Sequence, residues 1–155
     1  IEARSALRHG NTARAIQFAD GVLRHRPQDA DALLVLGSAA GAEGDLELAI
    51  AALELLIELD PAHVDGLYNL GNIHFERFQW ASAEHCFRAA LAAGGPNHAV
   101  HYQLARALER QDQLDEAAAE YRAAIAASPN PGGIWGFSGM DFTDDARGRV
   151  DAIDG

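Results

Sequence analysis

The sequence predicts an all-α protein of the α-solenoid class: stacked antiparallel helix pairs, followed by a short tail of a different kind. Three observations carry that expectation. The composition is rich in alanine and poor in β-branched residues, the chain repeats itself with a period of 34, and apolar residues inside each repeat recur at helical spacing. Alanine favours helix because it loses no side-chain entropy there. A stripe at i, i+3, i+4 and i+7 buries one face of a helix and needs a neighbour to cover it.

The period is plain when "DALLVLGSAAGAEGDLELAIAALELLIELDP" from Asp31 is laid over "DGLYNLGNIHFERFQWASAEHCFRAALAAGGP" from Asp65. Leu33 matches Leu67, and Leu36 matches Leu70 and Leu104. Gly37 and Gly71 are followed by Ala105, and Ala15, Ala49, Ala83 and Ala117 hold one register through four units. Pro27, Pro61 and Pro129 close three units, and Gly95-Pro96 closes the other one residue late.

The elements follow in order. Helices are expected near 1–9 and 12–25, separated at Gly10-Asn11; near 30–43 and 46–59, separated at Gly44-Asp45; near 64–77 and 80–93, separated at Phe78-Gln79; and near 98–111 and 114–127, separated at Asp112-Gln113. The proline-bearing segments separate successive pairs, because proline cannot continue a helix. The stripe is clearest in Leu46, Ala49, Ile50, Leu53, Leu56 and Ile57. These elements divide into a repeat domain over 1–130, with units 1–29 (truncated), 30–63, 64–97 and 98–130, and a tail over 131–155.

This pattern resembles the tetratricopeptide repeat, which implies helix pairs winding into a right-handed superhelix. The matching residues are Leu33, Leu36-Gly37, Ala40, Ala49, Leu53 and Pro61 in one unit, and Leu67, Leu70-Gly71, His74, Ala83, Phe87 and Pro96 in the next. His101, Leu104-Ala105, Leu108, Ala117, Tyr121 and Pro129 continue it. The resemblance implies that Gly37, Gly71, Ala49 and Ala83 lie where helices cross closely, and that Leu53 and Phe87 fill the space between units. It also implies that the first helix of each pair lines a concave groove holding a protein or peptide partner. On that reading the partner-contacting residues are Arg4 and Arg8; Tyr68, Asn69, Asn72 and Phe75; and Tyr102, Gln103, Arg106 and Arg110. The tyrosines suit apolar side chains of a peptide, the amides its backbone, and the arginines its carboxylates, which a guanidinium fork can hold with two hydrogen bonds. Some relatives clamp the carboxylate terminus of a chaperone with lysines. Here there is no lysine, and Asp31 and Asp65 stand nearby, so that mode is not expected.

Composition narrows the partner classes. The formal charge is −11, from 23 acidic residues against 12 basic ones that are all arginine. Nucleic acid is therefore not an expected partner, since its capture needs a basic surface that releases counterions. No run approaches the eighteen or so apolar residues of a membrane span, so membrane insertion is not expected. Cys86 is the single cysteine, which excludes an internal disulfide. His98 and His101 are one helical turn apart but no further ligand completes a metal set. His85 and Cys86 are adjacent and point apart on a helix. No cofactor, metal or catalytic centre is expected.

The tail opens with "GGIWGFSGMDF", Gly132 to Phe142, which reads as a lid on the last repeat, as a groove-filling motif of Trp135, Phe137 and Met140, as a disordered stretch or as a linker to a following domain. It continues with a short helix in which Thr143 is the expected N-cap and Phe142, Ala146, Val150 and Ile153 share a face. That helix is expected to cover Leu114, Ala118, Tyr121 and Ile125 of the last repeat helix. Because the chain starts at Ile1, it is expected to belong to a longer protein. Three functions are in play: a peptide-binding scaffold, the repeat arm of a larger enzyme such as a transferase, and a homo-oligomer in which one tail enters a neighbour's groove.

Overall fold

The computed structural model describes residues 11–128 and 143–155, which form eight α-helices and no strand. They are α1 (Thr12–His25), α2 (Ala30–Glu43), α3 (Leu46–Leu59), α4 (Val64–Glu76), α5 (Trp80–Gly94), α6 (His98–Arg110), α7 (Leu114–Ala127) and α8 (Thr143–Asp154). The seven helices predicted between 12 and 127 are found within a residue of their expected ends. The helix expected near 1–9, Arg4 and Arg8, and the whole "GGIWGFSGMDF" segment lie outside the described residues. Among those described, no helix is long and apolar enough to cross a membrane.

Local chemistry explains where the helices start. Asn11, Asp29, Asp45 and Asn97 each accept, through a side-chain oxygen, the backbone N–H three residues on, at 3.0–3.2 Å. Each thereby satisfies one of the donors that a helix leaves unpaired at its first turn. His63 does the same with a ring nitrogen, Nδ1 accepting from the Gly66 N–H at 3.0 Å. The turn inside each pair also recurs at the repeat period. Gly44, Phe78 and Asp112 all take left-handed backbone, at φ 86°, 60° and 61°. The next residue's N–H returns to Ala40, His74 and Leu108 respectively, at 2.9–3.0 Å. This is the Schellman closure, which reverses the chain within two residues.

The chain divides into two compact units, Ile1–Ile73 and His74–Gly155, so that the last turn of α4 belongs to the second. In the first unit α2 packs on α1 and on α3. Ala15, Ala49, Leu53 and Leu56 are wholly buried there, with Leu33, Leu36, Leu67 and Leu70 nearly so. Leu53 presses on Gly37: a Cβ added to that glycine would fall 2.5 Å from Leu53 Cγ. A Cβ on Gly66 would come within 2.9 Å of Leu56 Cδ2.

In the second unit α6 packs on α5 and α7, and α7 also packs on α8. Ala83, Phe87, Leu108, Ala117 and Tyr121 are wholly buried and Cys86 is buried beside them. Thr143 opens α8 rather than preceding it. Its hydroxyl donates to Ser128 Oγ at 3.0 Å, so this side chain ties the helix to the end of α7. Ala146 is fully buried, while Val150 and Ile153 are half-buried. Of the α7 residues expected beneath the tail, Tyr121 and Ala118 are buried, but Leu114 remains 41 % exposed.

Candidate functional site

The residues predicted to meet a partner divide between the units. In the first, Tyr68, Asn69 and Asn72 are half-buried on α4. Asn69 Nδ2 donates to Ser38 Oγ at 2.9 Å, and that hydroxyl donates on to the Leu34 carbonyl at 2.8 Å. Part of this amide's hydrogen-bonding capacity therefore joins α4 to α2.

In the second unit the predicted residues sort into two groups. Phe75, Gln103, Arg106 and Arg110 come together around Trp80. Phe75 meets the Trp80 ring edge-on, with centroids 4.8 Å apart, and Phe78 meets it similarly at 5.5 Å. The Arg106 guanidinium lies 4.6 Å from the centre of the Phe75 ring, and Arg110 lies 5.7 Å from that of Trp80. Gln103 Oε1 accepts from Arg106 Nη1 at 3.0 Å and fixes the fork. Each cation over a ring is worth about 0.5–1 kcal/mol at an exposed position, so the rings hold the arginines in place without neutralising them. Among the described residues neither Arg106 nor Arg110 forms an ion pair. With acids outnumbering bases 23 to 12, an arginine pair without a carboxylate needs a physical reason.

Tyr102 borders both groups, since the Arg106 guanidinium lies 5.9 Å from the centre of its ring. Only 6 % of it is exposed, and its hydroxyl donates to Asp145 of α8. Its ring meets Tyr121 edge-on with centroids 5.8 Å apart. The Tyr121 hydroxyl donates to Glu109 Oε2 at 2.6 Å, and Glu109 Oε1 accepts from Arg149 Nη1 at 2.9 Å. Arg149 Nε lies 3.7 Å from Asp145 Oδ2, closing a circuit through α6, α7 and α8. Arg122 and Asp154 pair at the far end of α8.

Burial, reinforced by the bond to Asp145, pushes the Tyr102 phenol from 10 up to about 12. Burial and the bond to Glu109 push Tyr121 up as well. Because the folded value exceeds the unfolded one, this stability is complete below pH 10 and is lost as the pH climbs through about 12. Thermal unfolding followed across that window is expected to show a smaller alkaline loss in Tyr102→Phe than in the parent chain. Equal losses would separate Tyr102 from the effect.

The two histidines with one-turn spacing are used separately. His98 Nδ1 is 2.9 Å from the Ala124 carbonyl oxygen, and His101 Nδ1 is 2.6 Å from Glu120 Oε2, so both rings join α6 to α7. Sequence reasoning missed Phe78 and Trp80. A signal was present: the position occupied by Gly44 one period earlier carries a phenylalanine. A bulky residue held left-handed costs about 1–2 kcal/mol, and Phe78 is 77 % exposed there.

A family model described as tetratricopeptide repeat matches residues 2–64, 39–77 and 68–130. The BBSome complex member BBS4 of Xenopus tropicalis is 36 % identical over 78 residues, which is 50 % of this chain but only 15 % of that protein's length. Among solved structures, MamA 41-end from Desulfovibrio magneticus RS-1 superposes with a TM-score of 0.75 at 20 % identity, over 97 % of this chain and 88 % of that one. YrrB, titled a TPR protein with an unusual peptide-binding site, superposes at 0.74 with 21 % identity, over 87 % of this chain and 63 % of that one. At these identities the structural likeness is one of fold, and the fold is the all-α solenoid class.

Proposed function

Because this chain belongs to the tetratricopeptide repeat family, we propose that it is a non-catalytic protein-interaction module whose second unit seats acidic side chains of an extended peptide on Arg106 and Arg110. The observation that carries this reading is the pair of guanidiniums stacked on Phe75 and Trp80 with no carboxylate partner among the described residues, in a strongly acidic chain. Keeping two cations clear of so many acids leaves a seat for carboxylates supplied from outside, and Phe78 and Trp80 offer apolar surface beside them. Charge-assisted hydrogen bonds from a guanidinium fork are roughly twice as strong as neutral ones. In the first unit, taken by itself, Tyr68, Asn69 and Asn72 suit the backbone and apolar side chains of a peptide. The peptide-binding site named for YrrB is compatible with this class of function. The circuit that fastens α8 to its own chain favours a covering role for the tail helix over a hook into a second copy.

A displayed library of random peptides, selected on the purified chain, tests the proposal. Enrichment of Asp and Glu on the parent chain is expected, with the loss of that enrichment on Arg106→Ala/Arg110→Ala. Selected peptides are expected to bind the double variant at least about tenfold more weakly, since each charge-assisted bond is worth about 1.5–3 kcal/mol. Selection of peptides without acidic residues, or equal affinity for the variant, would overturn it.

A further inference from the structure

On α3, in the first unit, Leu48, Leu55 and Leu59 are 37 %, 38 % and 39 % exposed, although Leu48 and Leu55 adjoin the wholly buried Ala49 and Leu56. At about 100° per residue the three fall within about 40° of arc, so they form one row along the helix. Single exposed leucines are ordinary, but an aligned row is not. Exposed Ala51 widens the row on the side that leads to Glu47, Glu54 and Glu58, which form a parallel exposed edge. Glu54 and Glu58 are spaced i, i+4, where like charges oppose the helix. Glu58 also lies in a last turn that holds no basic residue, where a carboxylate meets the negative end of the helix dipole. Neither Glu54 nor Glu58 forms an ion pair among the described residues.

We propose that this face of α3 docks an amphipathic helix of another protein that carries an apolar row and, along one edge, arginines or lysines. One occupant relieves both unfavourable features: its apolar row covers Leu48, Leu55 and Leu59, and its cations lie against Glu54 and Glu58 and the C-terminal end of α3. A second copy of this chain is the wrong occupant, because its own α3 would set glutamates against glutamates and its formal charge is −11. Acidic membrane is excluded as a partner on the same ground. The face lies on α3, which carries none of the residues assigned to peptide binding.

Three labelled synthetic helices test this against the full chain: leucines at i, i+4, i+7 and i+11 with a lysine edge, the same leucines with a glutamate edge, and the same lysine edge with the leucines replaced by serine. Only the first is expected to bind. Leu55→Gln/Leu59→Gln is expected to weaken it at least tenfold, and Glu54→Gln/Glu58→Gln to weaken it and flatten its salt dependence, with Arg106→Ala/Arg110→Ala unchanged. Hydrogen exchange of the unsubstituted chain, independent of variant folding, is expected to show protection on α3 when the first helix is added. Equal binding of the serine helix, insensitivity to the leucine substitutions, or protection confined to other helices would overturn the proposal.

Discussion

Tyr121→Ala is expected to destabilise the second unit by about 3–5 kcal/mol, the range for truncating a fully buried aromatic. The ring is wholly buried, and it supports Tyr102 edge-on while its hydroxyl holds Glu109. Truncation therefore leaves a cavity and also takes a member out of the circuit that runs through Glu109, Arg149 and Asp145 to Tyr102. Tyr121→Phe separates the two contributions. It keeps the packing and removes one hydrogen bond to a carboxylate, for about 1–3 kcal/mol. Urea titrations followed by circular dichroism measure both, and limited proteolysis is expected to release the tail helix sooner in the alanine variant. A loss below about 1 kcal/mol on alanine substitution would show that the ring is not the keystone its burial implies.

Leu53→Ala is expected to cost the first unit about 2–5 kcal/mol, because Leu53 is wholly buried and its loss opens a void. Gly37 gives this experiment its sharper form. Gly37→Ala alone gains roughly 1 kcal/mol of helix propensity, yet its methyl would lie 2.5 Å from Cγ of the wholly buried Leu53. Overpacking costs about 1–3 kcal/mol and is expected to outweigh the gain. In the double variant the new methyl occupies part of the space the leucine vacates. Its destabilisation is expected to fall short of the sum of the single changes by about 1 kcal/mol or more, within the coupling range of residues in contact. Additive losses in the four-member cycle would show that the glycine is tolerated there for some reason other than Leu53.

The helices were legible because their signals are local. Asn11, Asp29, Asp45 and Asn97 announce helix starts by residue type alone, and each is found capping its helix. The candidate site was legible in part. Residues one or two turns apart on a helix share a face whatever surrounds them, so spacing and repeat register suffice to group Phe75, Arg106 and Arg110. Trp80 escapes that grouping, since it sits at the start of the next helix and joins them only through a turn of specific geometry. Tyr102 was legible only in part: spacing places its ring beside Arg106, but its hydroxyl is taken by a helix more than forty residues on.

The 34-residue period was sufficient to specify the fold class and the register of its buried face, because each helix pair needs a neighbour to cover its apolar stripe. The turns follow from it as well, down to the left-handed residue at 44, 78 and 112. Tertiary contacts alone decided which polar groups face solvent and which are consumed inside. Asn69 ties down Ser38, Tyr102 is taken by Asp145, and Arg149 by Glu109, while Arg106 and Arg110 rest on rings. The physical reason is range. Hydrophobic periodicity is set by neighbours three and four residues apart, whereas a hydrogen bond or ion pair is satisfied by whichever partner the folded chain brings within about 3 Å.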